Sequence, residues 1–243
     1  MTLGIILILL LVSPLTGGVF AWLLNGGRHS QVKIFLSFSG AYLFTISVTS
    51  LMPEVYKDGT ITTGFLVLAG FMFQILLEQF TKGVEHGHLH HHGGKGFRPV
   101  LQIFVGMSLH AFLEGMPIGD SGFIQKGLSQ KLLPGTCLHE IPAAFALGSV
   151  MLAAGFRGLT FWAIIIPYAF MLPTGALVSG LLNSGGLEGW VHKWLLPFVI
   201  GAFLHISTTI LYENSENHTY KRLRLVAVLA GVLMATASLV LYI

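Results

Sequence analysis

Two apolar stretches near the middle of the chain contain ionisable side chains of the kinds that bind metal ions. The first contains His110 and Glu114, and a helix places residues four apart on one face, about one turn from each other. The second contains the adjacent pair His139 and Glu140. Each charged side chain at the centre of a bilayer costs about 2.5–3.5 kcal/mol on insertion scales. Four ionisable residues on neighbouring spans therefore predict a partner, and a divalent metal ion is the simplest one.

The ligand chemistry suits zinc, with iron(II) and manganese(II) as alternatives. Two imidazoles and two carboxylates offer nitrogen and oxygen ligands to such ions, and affinity order alone does not select among them. The ligands must be deprotonated, so metal binding should compete with protons. Pro142 frees the carbonyl group of Leu138 and would bend the helix beside these ligands. Bent helices at the midplane are typical of transporter ion sites.

The composition indicates an integral membrane protein. Of the 243 residues, 53% are hydrophobic and 9% are charged, and the mean hydropathy is +0.77. Soluble domains contain about 25% charged residues. No basic cluster is interleaved with aromatic residues, so nucleic-acid binding is not expected.

The apolar runs predict an all-α integral membrane protein, an eight-helix bundle in one transmembrane domain. Each run is close to the ~20 residues that a helical span needs. The spans are predicted at 3–24, 32–53, 61–80, 99–118, 132–154, 159–182, 191–212 and 223–243.

The distribution of basic residues predicts the orientation. Nine of the 13 Lys and Arg residues fall in the loops after odd-numbered spans, and the other four are Lys57, Lys126, Lys131 and Lys193. Because basic loops stay in the cytoplasm, both termini are predicted outside and loop 81–98 inside.

Loop 81–98 is rich in histidine and glycine. Its histidines are His86, His88, His90, His91 and His92. Imidazoles at this density chelate zinc, copper or nickel weakly, so the loop is predicted to handle metal ions. The alternative is a polar linker that binds nothing.

Four further residues are candidate accessory ligands or pathway residues. Glu54 and Glu78 lie near span ends and are either solvated carboxylates or residues that pass the ion. Asp120 follows the fourth span and could attract cations, or it is an ordinary loop charge. His205 is a single histidine in the seventh span, where a hydrogen-bonded structural histidine is the alternative.

Two alternatives to transport follow from the same residues. The His/Glu pairs could bind only each other and hold the helices together. The segment HEIPA also resembles HExxH, the zinc-binding motif of metalloproteases, but Ala143 stands where the second histidine belongs. A membrane metallohydrolase that uses His110 instead remains an alternative.

At these residues the chain resembles the ZIP family of divalent-metal transporters. A fourth-span motif of the form H-N-x-x-E-G is matched by His110, Glu114 and Gly115, and a fifth-span motif H-E-I-P-H-E is matched by residues 139–142. Weaker matches are SLMPE in the second span, the His-rich loop, and GAFLHIS in the seventh span. The resemblance implies eight spans with both termini outside.

The chain departs from the family pattern at three positions. Ala111, Ala143 and Leu172 stand where many members have polar ligands, which two-metal members use mainly for a second ion. We therefore expect a single metal site. The same losses would also fit a metal-binding sensor that transports nothing.

The sequence as a whole predicts a non-enzymatic ZIP-like permease. It would move a divalent cation, with zinc as the expected substrate, toward the cytoplasm through a site of His110, Glu114, His139 and Glu140. The direction is implied by the resemblance alone. The expected partners are divalent metal ions and the lipid bilayer, and a homodimer is one expected assembly.

Overall fold

A computed structural model describes residues 2–26, 29–57, 59–81, 83–84, 97–119, 127–213 and 222–241. Nearly all of these residues are helical, and no strand occurs within these ranges. Eight of the helices are long and apolar enough to cross a membrane. The predicted all-α bundle of eight membrane helices is confirmed.

We number the eight membrane helices α1 to α8 in chain order. They are α1 (Leu3–Leu23), α2 (His29–Ile46), α3 (Ile61–Thr81), α4 (Phe97–Gly119), α5 (Leu128–Ala153), α6 (Leu159–Leu182), α7 (Leu196–Glu213) and α8 (Arg222–Leu241).

Helix α2 does not stop at Pro53. It continues through a π-helical turn, Ser47–Leu51, into a short helix, Met52–Tyr56. Proline is tolerated in the first turn of a helix because its missing N–H would have no partner there. Two further π-helical turns, Asn183–Leu187 and Val191–Leu195, join α6 to α7.

The eight helices form two four-helix groups. In the first group, α1 packs along α5, α4 packs along α6, and α1 also contacts α6. In the second group, α2 packs along α8, α3 packs along α7, and α2 also contacts α7. The two groups meet mainly where α2 contacts α5 and where α3 contacts α4.

Glycines allow the closest of these helix contacts. An added Cβ atom would overlap a backbone carbonyl oxygen of the partner helix in each of the four main pairs. The glycines and their neighbours are Gly17 with Ile141, Gly231 with Phe38, Gly70 with Phe198, and Gly175 with Phe112. Small residues at helix contacts are the usual way in which membrane helices approach closely, because lipid supplies no hydrophobic driving force between them.

Burial differs between the eight helices. Helix α5 is the most buried of the eight and α8 is the least. The exposed apolar residues of α1, α3 and α8 form outer faces of the kind that lipid chains cover. The side chains of both His/Glu pairs are buried in the interior of the bundle.

Candidate metal site

Three of the four central residues predicted to bind metal form one cluster. His110 and Glu114 come from α4, where the four-residue spacing stacks them, and His139 comes from α5. A ligand atom from each lies within 4.8 Å of the other two. All three side chains are at most 2% exposed.

The distances within the cluster describe a triangle of donor atoms. The Nε2 atoms of His110 and His139 are 3.4 Å apart. Glu114 Oε1 lies 3.5 Å from His110 Nε2 and 3.7 Å from His139 Nε2. Bond lengths of about 2.0–2.2 Å in a tetrahedral zinc site require donors about 3.3–3.6 Å apart. The triangle thus approximates one face of a zinc tetrahedron, whose fourth ligand these three residues do not supply.

The carboxylate of Glu114 is buried without a hydrogen-bond donor. Neither of its oxygens accepts a hydrogen bond from an N–H or alcohol hydroxyl group of the described residues, and Nδ1 of His139 has no partner among them. Burying a carboxylate without a partner is costly, and native proteins pair such groups or place them on metals. The donor set therefore fits a divalent cation bound between His110, Glu114 and His139.

Glu140, the fourth predicted ligand, lies beside the cluster but not in it. Its carboxyl group lies close to that of Glu114, so two carboxylates there would repel each other, and a protonated one would hydrogen-bond to the other. Glu140 Oε2 accepts a hydrogen bond of 2.9 Å from the hydroxyl group of Tyr168 on α6, while Oε1 has no partner among the described residues. Tyr168 thus holds one oxygen of Glu140 and leaves the other one available.

Replacing Tyr168 by Phe should destabilise the protein by about 1–3 kcal/mol, because a buried carboxylate would lose its hydrogen-bond donor. Thermal unfolding in detergent would measure the change. The matched control is Tyr56→Phe, which removes an exposed hydroxyl group and should leave the unfolding temperature unchanged. Equal unfolding temperatures for both variants would contradict the prediction.

The predicted accessory residues His205 and Glu78 pair with each other. His205 Nε2 lies 2.7 Å from Glu78 Oε2, which joins α7 to α3 within the second group. His205 also stacks edge-on against Phe71, with ring centroids 5.0 Å apart. Glu78 lies one helical turn after Gln74, whose side chain contacts His110, so this pair lies next to the cluster.

The remaining predicted residues have different positions. Glu54 is only 7% exposed and binds the ammonium group of Lys57 at 2.8 Å. The interpretation of Glu54 as a solvated carboxylate is therefore wrong, because the extension of α2 buries it while Lys57 reaches outward. Asp120 and the five loop histidines, His86, His88, His90, His91 and His92, lie outside the described residues.

Two residues in contact with the site were not predicted from the sequence. Tyr168 holds Glu140, and Gln74 on α3 places its side-chain nitrogen 3.3 Å from His110 Nδ1. Gln74 is fully buried and lies one turn before Glu78 on the same helix. The sequence indicated Gln74 only as a polar residue in an otherwise apolar span, one turn before Glu78.

The three positions at which the chain departs from the family pattern are all in the interior. Ala111, Ala143 and Leu172 have no accessible surface. Their side chains offer no ligand atoms, so none of them can bind an ion through its side chain.

Comparison with protein families gives one match over much of the chain. A model of the ZIP zinc transporter family matches residues 85–238, which is more than half of the sequence. The protein belongs to the ZIP family. The matched range contains all of the central cluster, Glu140, Tyr168 and His205.

Membership in the ZIP family sets the class of activity. ZIP proteins are transporters of divalent metals and not enzymes, so the metallohydrolase alternative is set aside and the prediction of a non-enzyme is confirmed. With its eight apolar helices, this ZIP protein is a multi-pass integral membrane protein.

Proposed function

We propose that this ZIP protein transports zinc toward the cytoplasm through a single site formed by His110, Glu114 and His139. The observation that supports this proposal most strongly is the buried Glu114 carboxylate, which lacks a hydrogen-bond donor among the described residues and faces two histidine nitrogens. Its charge offsets part of the charge of a divalent ion, and the two imidazoles provide neutral ligands. The spacing of the three donors suits a tetrahedral ion.

The open fourth position makes this a site for exchange. Closed tetrahedral sites are structural, whereas sites with three protein ligands keep one position for water or an incoming group. Glu140, whose Oε2 is held by Tyr168, is the residue proposed to fill that position when the ion is bound. An ion could then arrive with water in the fourth position, exchange it for Glu140, and leave by the reverse exchange.

The two helix groups suggest how the site could open alternately to each side. Every ligand of the cluster belongs to the first group, on α4 and α5. The facing polar residues, Gln74 and His205, belong to the second group. A relative rocking of the two groups would expose the ion to one face of the membrane and then to the other.

The pair of His205 and Glu78 is proposed as the next ligand set along the pathway. Glu78 lies near the end of α3, which leads directly into loop 81–98. With that loop in the cytoplasm and both termini outside, an ion leaving the cluster would pass this pair before it reached the loop histidines.

Uptake of radioactive zinc into proteoliposomes tests the proposed function. The native protein should take up zinc, and His139→Ala should reduce uptake to the level of empty vesicles because one of three ligands is lost. Competition by iron(II) and manganese(II) would rank the substrates. Binding of zinc by the native protein without uptake would contradict transport and favour a metal-binding sensor.

His205→Phe tests the pathway separately from the cluster. Phenylalanine keeps the aromatic contact with Phe71 but removes the imidazole nitrogen. We expect the maximal uptake rate to fall several-fold while the dissociation constant for zinc stays near the native value. An unchanged rate would exclude His205 from the pathway.

A further inference from the structure

Gln74 places an amide group in the interior of the bundle, against a histidine of the cluster. Its side-chain nitrogen lies 3.3 Å from Nδ1 of His110, and its side chain has no accessible surface. The other ring nitrogen of His110, Nε2, faces His139 and Glu114. Gln74 therefore occupies the side of the imidazole ring that is opposite to the cluster.

The chemistry of imidazole determines what that position must provide. A neutral histidine that binds a metal through Nε2 has its proton on Nδ1, and the Nδ1–H group needs an acceptor when it is buried. Acceptors of this kind fix the tautomer and the ring orientation of metal-binding histidines. The polar group in contact with Nδ1 of His110 is the Gln74 amide.

The amide can meet this requirement by turning about its terminal bond. As placed, its nitrogen faces Nδ1 and its oxygen, Oε1, has no hydrogen-bond partner among the described residues. The two ends of a carboxamide have nearly the same shape, and their assignment follows from the hydrogen-bond network. A half-turn places the unpartnered oxygen on Nδ1, where it accepts the proton that metal binding requires.

We propose that Gln74 is a positioning residue for the metal site: its amide oxygen accepts the Nδ1–H of His110 and so directs the Nε2 lone pair toward the ion. The inference rests on the proposed function, because it takes His110 as a ligand. It adds that the second helix group controls the affinity of a site whose ligands all lie in the first. The ion is held most tightly when α3 and α4 are positioned so that Gln74 contacts His110.

Two substitutions at Gln74 separate positioning from packing. Gln74→Met keeps the length of the side chain but removes the acceptor, and it should raise the dissociation constant for zinc by about 10–100-fold. Gln74→Glu supplies a carboxylate acceptor and should keep zinc binding within about threefold of native, or tighten it. Isothermal titration with zinc ion on the detergent-solubilised full chain measures both. Gln79→Met, at an exposed position of the same helix, is the matched control and should bind like the native protein.

If Gln74 had only a structural role, the two variants would show the opposite order of zinc affinity. Methionine would then be accepted in the apolar interior, a buried carboxylate would be harmful, and that result would overturn the proposal. Nitrogen-15 NMR of histidine-labelled protein provides a second test, since the zinc-bound native protein and Gln74→Glu should both show His110 protonated at Nδ1. His110→Ala tests the proposed site separately from the role of Gln74. Native zinc affinity in His110→Ala would refute the proposed site itself. Lost affinity in His110→Ala, together with native affinity in Gln74→Met, would refute only the role of Gln74.

Discussion

Glu114→Gln is expected to weaken zinc binding by at least ~100-fold and to reduce zinc uptake to background, because the substitution removes the carboxylate of the cluster. Glutamine keeps the shape of the side chain, so the helix contacts around it should persist. Titration of the purified protein with zinc and uptake into proteoliposomes would measure the two effects.

The same variant should not destabilise the protein in the absence of zinc. The Glu114 carboxylate is buried without a donor among the described residues, and a neutral amide is cheaper to bury than an unpaired charge. The unfolding temperature measured with a chelator should equal or exceed the native value, while stabilisation by added zinc should disappear. Glu54→Gln is the matched control, since it also replaces a buried carboxylate by an amide, but at a residue that binds Lys57 and lies outside the cluster. Zinc affinity within threefold of native in Glu114→Gln would exclude this residue as a ligand.

Gly175→Ala should destabilise the protein by about 1–3 kcal/mol or more and weaken zinc binding at the same time. The added methyl group would overlap the carbonyl oxygen of Phe112, which is backbone and cannot move without displacing α4 from α6. Helix α4 provides both His110 and Glu114, so its displacement would disturb the triangle of donors. Thermal unfolding and zinc titration of the same preparation would measure both changes.

A second glycine on the same helix provides the control. An added Cβ atom at Gly180 would lie 3.6 Å from the carbonyl oxygen of Gly119, which is an ordinary van der Waals contact. Gly180→Ala should therefore be neutral or slightly stabilising, since alanine is the better helix former by about 0.5–1 kcal/mol. If both variants unfold at the native temperature, the close approach of α4 and α6 is not required for stability.

The arrangement of spans and the central pair on α4 could be predicted from the sequence because both depend on local rules. Apolar runs of membrane-spanning length predict helices, and residues four apart share a face of a helix. His110 and Glu114 therefore come together whatever the rest of the bundle does. Which residue of α5 joins them depends on packing between helices, and no local rule describes that.

Glu140 illustrates this limit. It is adjacent to His139 in the sequence, yet only His139 joins the cluster, because neighbouring residues on a helix point about 100° apart and Tyr168 from α6 holds the glutamate. The hydrogen bond between His205 and Glu78 likewise joins residues 127 positions apart. Gln74 could be noticed as polar, but its contact with His110 follows only from the packing of α3 against α4.

The order in which the close helix pairs are joined bears on how the protein assembles during synthesis. None of the four pairs with interlocked glycines consists of consecutive helices: α1 pairs with α5, α2 with α8, α3 with α7, and α4 with α6. As the chain leaves the ribosome, α2 and α3 must wait in the bilayer until the last two helices have been inserted. A chain that ended after α6 would contain every ligand of the cluster but would leave α2 and α3 without their partners. Such a fragment should be recognised as incomplete by membrane quality control, although its metal-binding residues are all present.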